Sequence, residues 1–226
     1  MQQPSPQRSR PKACAGTPGG LHHSGHLVPS PATVTAAIRC AASYYSDFHK
    51  AWALEHPLCE ATVTGKVMTE AEKHAVQTAY GSTDKTSSLG TLYGMCAQNS
   101  PDSWSYLATA GSPEQVAEVT GALTLCPDHP QKDKITKLLA QAGQQNKLRS
   151  EGKIFGSGIL LVGTEVKAGT YYTTDVKNCY WERTNSNGQI IDNYFTNAAK
   201  RVQVTIRAGD YSFNSEHCGE WKPLDQ

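Results

Sequence analysis

The residues of this 226-residue chain with the most chemistry to offer are its seven cysteines: Cys14, Cys40, Cys59, Cys96, Cys126, Cys179 and Cys218. A thiol can ligate a metal, exchange electrons with a nearby thiol or close a cross-link, and spacing helps to separate these uses. No C-x-x-C occurs, which removes the thioredoxin-like and zinc-ribbon patterns and favours staples between distant segments. The expected pairs are Cys179 with Cys218 and Cys96 with Cys126. Cys14, Cys40 and Cys59 stay unassigned, and the odd count leaves at least one cysteine unpaired within the chain. The competing arrangement is a zinc site from Cys96, Cys126 and His129, with His74 or Cys59 as fourth ligand. Structural zinc often uses two close ligand pairs, and only Cys126 and His129 form one, so neither a metal nor a cofactor is expected. Stable disulfides imply an oxidising compartment outside the cytoplasm.

Other groups offer less. His22, His23 and His26 have imidazoles suited to a transition metal, but nothing nearby fixes their geometry. Glu182 and Asp192 are candidates for the paired carboxylates of glycoside chemistry. Against this, Glu182 should point away from Cys179 and Trp181 as an exposed strand residue. The sequence has no G-x-S-x-G elbow, P-loop, G-x-G-x-x-G or H-E-x-x-H, and a non-catalytic protein is favoured. The C-terminal third is dense in aromatic residues, whose apolar faces and polar tips suit binding surfaces. Tyr171, Tyr172, Tyr180 and Trp221 are the candidate ligand-binding residues. Tyr171 and Tyr172 are adjacent on one strand, so one ring must point away from the other.

Two kinds of element must position these groups. Val34, Ile38, Ala41, Tyr45, Phe48 and Trp52 recur every three or four residues, which predicts a helix over 33–54, ended by Pro57. Thr69 and Glu72 form a capping-box pattern for a helix stopping at Gly81. A short helix is expected around Leu89, Leu92, Tyr93 and Cys96. Ser112, Pro113 and Gln115 launch another, carrying Val116, Val119 and Leu123 to Cys126. Asp128 is expected to cap the next, with Ile135, Leu138, Leu139 and Ala142 on its buried face. Beyond Gly143 its polar continuation reads as a partly exposed linker helix ending at Gly152.

After Gly152 the period changes. Val202, Val204 and Ile206 alternate with Arg201, Gln203, Thr205 and Arg207, a half-buried strand. Further strands are expected at 159–162, 170–174, 179–184, 189–195, 211–214 and 217–221. The NSNG run at 185–188 and the AGD run at 208–210 read as turns. Cys179, Trp181 and Arg183 then share one strand face, and Cys218 and Trp221 approach from the last strand.

The runs V-G-T-E-V-K-A-G-T-Y (Val162 to Tyr171), C-Y-W-E-R (Cys179 to Arg183) and C-G-E-W (Cys218 to Trp221) together resemble a β-rich module. That module closes many actinobacterial exported proteins, behind signal peptides, lipoprotein leaders or membrane anchors. S-L-G-T-L-Y-G-M-C-A-Q-N (Ser88 to Asn99) and G-A-L-T-L-C-P-D-H-P (Gly121 to Pro130) are similar to the helical partner segment seen in some of them. The resemblance implies architecture and export. It brings no activity, ligand or functional residue.

Hydrophobic residues make up 38% of the chain and charged ones 18%, which favours two small modules with thin cores. Residues 1–31 are rich in Pro, Gly, Ser and Gln and are expected to be a disordered tail. A helical module over 33–150 and an antiparallel β-sandwich-like module over 153–226 make the chain α+β. The net charge of +1 gives no field for nucleic acid or a membrane surface. No run approaches the roughly 18 apolar residues of a membrane span. The start has no apolar leader core, and Arg39 before Cys40 does not fit a lipoprotein cleavage site, so a missing or misread leader is expected. The expectation is an extracytoplasmic interaction or scaffolding protein of the cell envelope, with an envelope glycan or protein as partner. The alternative is a hydrolase of an envelope polymer, with its site between the modules.

Overall fold

The computed structural model describes residues 32–224 other than 46, 57, 84 and 85. Cys14, His22, His23, His26 and the expected disordered tail lie outside the described residues. Ala32–Gln226 is one compact unit, with helices and a small sheet first and a larger sheet after them, in an α+β arrangement.

The first segment departs from expectation. Residues 33–54 do not form one helix but a hairpin, β1 (Thr35–Cys40) and β2 (Ser43–Tyr45), followed by a short helix, α1 (Phe48–Trp52). Positions four apart share a face in both a helix and a strand, so Val34 and Ile38 cannot tell the two periods apart. A non-local partner decides the outcome. β3 (Cys59–Thr64) pairs antiparallel with β1, setting Cys40 opposite Cys59, and a disulfide joins them. Ile38 and Cys40 turn inward, while Ala41 at φ 52 makes the bend to β2.

The next helices carry local start and stop signals. α2 (Glu70–Tyr80) has the Thr69–Glu72 capping box and ends at Gly81 with φ 66. Glu72 is buried, and its carboxylate accepts hydrogen bonds from the Thr69 amide, the Thr69 hydroxyl and the Tyr93 hydroxyl. α3 (Leu89–Ala97) lies close on β3 because Gly90 and Gly94 face it. A Cβ at Gly90 would sit 2.6 Å from the Ala61 carbonyl oxygen, and one at Gly94 would sit 2.9 Å from that of Cys59. After α4 (Leu107–Ala110), α5 (Pro113–Leu125) starts with the Ser112–Gln115 capping box and lies against α2. A Cys96–Cys126 disulfide ties α3 to the end of α5.

α6 (Lys132–Ser150) begins at Gln131 without a side-chain cap, and Asp128 does not cap it. Asp128 instead meets His49, 3.0 Å away. The first half of α6 packs Ile135, Leu138 and Leu139 against Trp104, Leu107 and Val119, and the helix continues through Gly143. The chain leaves it at Gly152, whose φ of 67 and close approach to the Glu165 carbonyl leave no room for a side chain.

The C-terminal part is one five-stranded antiparallel sheet, in the order β4-β7-β5-β6 with β8 also on β5. Its strands are β4 (Gly158–Leu161), β5 (Gly169–Thr184), β6 (Ile190–Ile206), β7 (Ser212–Glu216) and β8 (Lys222–Pro223). The pairs of strands expected at 170–174 with 179–184, and at 189–195 with 201–207, are each one long strand. The expected strand at 217–221 is instead a turn, with His217 at φ 54 and Gly219 at φ 76, and Trp221 bridges Phe155. β5 carries β6 along its length, β8 beside Tyr171 and Tyr172, and β7 beside residues 180–184. Left-handed backbone at Asp175 and Asn178, φ 53 in each, accompanies a change in which side chains face inward. The inward set passes from Tyr171 and Thr173 to Val176, then to Cys179, Trp181 and Arg183. The sheet thereby closes over a core of Phe155, Val166, Tyr171, Phe213, Trp221 and the β6 valines. A disulfide joins Cys179 to Cys218 inside it.

Candidate binding cleft

Where α6 leaves the helical core and the sheet begins, a cleft of about 670 Å³ opens. Its volume lies within the few hundred to a thousand Å³ typical of small-molecule sites. One wall is the second half of α6, with Gln141, Gln144, Gln145 and Leu148, and the other is Tyr172 on β5 with Lys222 and Pro223 on β8. Ile154, just past the Gly152 turn, also lines it. Gln141, Gln144 and Gln145 come together because positions three and four apart share a helix face. The Gln145 amide donates to the Ala108 carbonyl, 2.9 Å away, which anchors it to α4. Tyr172 is steadied by the Arg201 guanidinium, 4.4 Å from its ring centroid. At the junction of α6 with the sheet, Arg149 donates to Glu220 at 2.7 Å, and Glu220 lies 3.6 Å from the Lys222 ammonium.

These groups donate and accept hydrogen bonds, carry one positive charge and present one aromatic ring, all beside aliphatic side chains. Such a lining can orient a polar, uncharged chain and shield its apolar faces.

Of the four aromatic residues expected to bind ligand, the structure brings only Tyr172 to this cleft. Tyr171 is 2% exposed, packs edge-on against Phe155 and donates its hydroxyl to the Lys167 carbonyl. Burial pushes its phenol pKa up. Trp221 is fully buried, with its indole N–H donating to the Ser215 hydroxyl. Both rings complete the core, which the bulk of a thin sheet requires. Tyr180 is half-buried on β5 and donates to Glu182, a bond that raises its pKa. The four do not form one platform.

Glu182 and Asp192 do not converge either. Asp192 stands opposite Arg183 and accepts from its guanidinium at 3.1 Å, whereas Glu182 stands one position back, opposite Asn193. Successive residues face opposite sides of a sheet, so the two carboxylates flank no common point. The zinc donors do not come together as free ligands: Cys96 and Cys126 are bonded to each other, Cys59 is bonded to Cys40, and His74 is exposed on α2. His129 lies between Trp52 and Trp104, with Nε2 2.8 Å from the Gln98 carbonyl and Nδ1 accepting from the Gln131 amide. Burial lowers its pKa. Among the described residues, no group of three or more His, Cys, Asp or Glu side chains is placed to hold a metal.

The sequence reading misses the cleft residues on α6: Gln141 is no part of the apolar stripe that ends at Ala142, and Gln144 and Gln145 fall in the polar continuation beyond Gly143 that reads as a linker. The i, i+3, i+4 spacing of Gln141, Gln144 and Gln145 was the available signal.

The fold and its three disulfides define an extracytoplasmic α+β protein, cross-linked twice in its helical part and once in its sheet. Residues 152–222 match the model of a family described as the Rv1352-like extracellular domain. The matched span is the C-terminal sheet, and it supports an exported, actinobacterial-type family for that part of the chain. No curated protein and no solved structure matches the chain. An extracellular-type domain together with three disulfides places the protein outside the cytoplasm. Among the described residues no helix is long and apolar enough to cross a membrane.

Proposed function

We propose that this is a non-catalytic interaction protein of the cell envelope, whose cleft between α6 and β5–β8 takes up a stretch of envelope glycan. In this reading, residues 33–150 form a helical support and residues 153–226 the recognition module. The observation that carries the reading is the pairing of Gln141 and Gln144 with the Tyr172 ring across an aliphatic strip of Leu148, Ile154 and Pro223. Amides match sugar hydroxyls as both donors and acceptors, and a ring with aliphatic neighbours matches the apolar face of a pyranose. The test is calorimetric or NMR titration of the full chain with soluble cell-wall glycan fragments. Saturable binding is expected, weakened about tenfold by Tyr172→Ala or by Gln141→Ala with Gln144→Ala, roughly the loss of one good contact. Absence of binding at millimolar fragment, or binding indifferent to these changes, removes the reading. Release of new reducing ends from the fragments would replace it with the hydrolase alternative.

A further inference from the structure

β6 lies at one end of the sheet order, and among the described residues β5 is its only neighbouring strand. A long edge strand exposes unpaired backbone donors and acceptors, and proteins usually guard such edges with charges or bulges. β6 does both at its ends. The register shifts near Ile190, where β6 meets Thr184 of β5, and Lys200 and Arg201 charge its far half. Between these guards, residues 193–199 are uncharged, and Tyr194 and Phe195 remain 43% and 58% exposed.

The ends of this run are self-complementary. Asp192 and Lys200 lie four residues to either side of Thr196. An antiparallel copy paired about Thr196 sets each Asp192 opposite the other chain's Lys200. The same register sets Tyr194 opposite Ala198 and Asn193 opposite Ala199, a large or medium side chain facing a small one each time. Both charges are accessible for this. Asp192 is 51% exposed and bonded to Arg183 through one carboxylate oxygen, and Lys200 is 96% exposed in a surface pair with Asp175. An exposed pair of that kind contributes little, so exchanging it is easy.

We propose that two copies of this chain associate through β6, antiparallel about a two-fold axis at Thr196, so that their five-stranded sheets become one continuous sheet. The interface is isologous, and every contact but the Thr196 pair on the axis occurs twice. It uses the β6 edge and does not depend on the cleft having a ligand.

Sedimentation of the full chain across a concentration series tests it, with near-ultraviolet circular dichroism as a fold check. The native chain is expected to show a monomer–dimer equilibrium. Lys200→Glu, a change at a nearly fully exposed side chain, faces Asp192 with a like charge twice per dimer and should raise the dissociation constant about tenfold or more. Thr196→Glu and Thr196→Arg each face themselves across the axis. Each alone should be monomeric, and an equimolar mixture should form a heterodimer. A native chain that stays monomeric at several hundred micromolar overturns the proposal. So does a dimer whose dissociation constant Lys200→Glu leaves unchanged.

Discussion

Replacing Cys179 and Cys218 together by alanine removes the cross-link that closes a span of 39 residues across the C-terminal sheet. In the chain-entropy model the loss is about 2.1 + 1.5R ln n in cal/mol/K. For this span that is about 13 cal/mol/K, or about 4 kcal/mol at 25 °C. Both side chains are buried, at 0% and 1% exposure, so the deleted sulfurs add a cavity loss in the same direction. Against a usual total of about 5–15 kcal/mol, this is a large fraction of stability. The same arithmetic for Cys96–Cys126 and Cys40–Cys59, separations 30 and 19, gives about 3.6 and 3.2 kcal/mol. The logarithm makes the three nearly equal, so rank order among them is a poor test and the absolute loss is the useful one. Urea unfolding followed by the fluorescence of the buried Trp181 and Trp221 reads it. The double variant should lose about 4 kcal/mol, with a lower midpoint and a steeper m-value, because its unfolded chain is free to expand. A loss under about 1 kcal/mol with an unchanged m-value would refute the view that this cross-link holds the sheet by restricting the unfolded state.

Asp210→Ala should destabilise by about 3 kcal/mol in the same assay. It leaves the Arg183 guanidinium, 5% exposed, with only the half-exposed Asp192, and it removes the acceptor of the Arg207 amide in the turn; a loss below 1 kcal/mol contradicts this. Gly90→Ala should be net destabilising by about 1–2 kcal/mol. The helix-propensity gain of about 1 kcal/mol is outweighed by a Cβ 2.6 Å from a backbone oxygen, and thermal stabilisation would show that α3 does not lie this close to β3. Burial holds the His129 pKa below 6.5, so the unfolded chain takes up its proton at a higher pH than the folded one. The stability from its neutral ring is fully present above pH 6.5 and falls as pH drops below it. His129→Gln should therefore flatten the decline in Tm between pH 6.5 and 5, and an unaltered slope would refute the assignment.

The elements that could be read from the sequence are those whose signals are local. The Thr69–Glu72 and Ser112–Gln115 boxes fix their helices through backbone groups within one turn, and the NSNG run specifies its hairpin by the left-handed Gly188 and the Asn185 side chain. What could not be read depends on partners far along the chain. The segment 35–40 becomes a strand because Cys59–Thr64 pairs with it, and no window around Ile38 contains that partner. Burial of Tyr171 and Trp221, rather than display, likewise follows from how β5 and the turn before β8 meet across the core. Tyr172 could be placed on the other face by alternation alone. Its cleft could not, because the opposite wall is α6, a helix about thirty residues earlier in the chain.

The position of the cleft follows from where the chain is and is not constrained. Two cross-links, Cys40–Cys59 and Cys96–Cys126, lie within the helical part, and the third lies within the sheet, so no disulfide among the described residues crosses the junction at 150–153. Backbone bonds hold that junction instead. The Lys153 amide donates to the Leu148 carbonyl at 2.8 Å, and the Lys167 amide to that of Gly152 at 2.9 Å, where only glycine fits. The inner end of the cleft near Leu148 and Ile154 is therefore fixed by short hydrogen bonds. Arg149–Glu220 adds a side-chain tie at this same end, a pair about one-third exposed on each side and correspondingly weak. Farther along α6 the wall is held from behind by the helical part, the Gln145 amide donating to the Ala108 carbonyl at 2.9 Å and that of Asn146 to the Gly111 carbonyl at 3.0 Å, so the outer wall takes its place from the helices and the inner end from the start of the sheet.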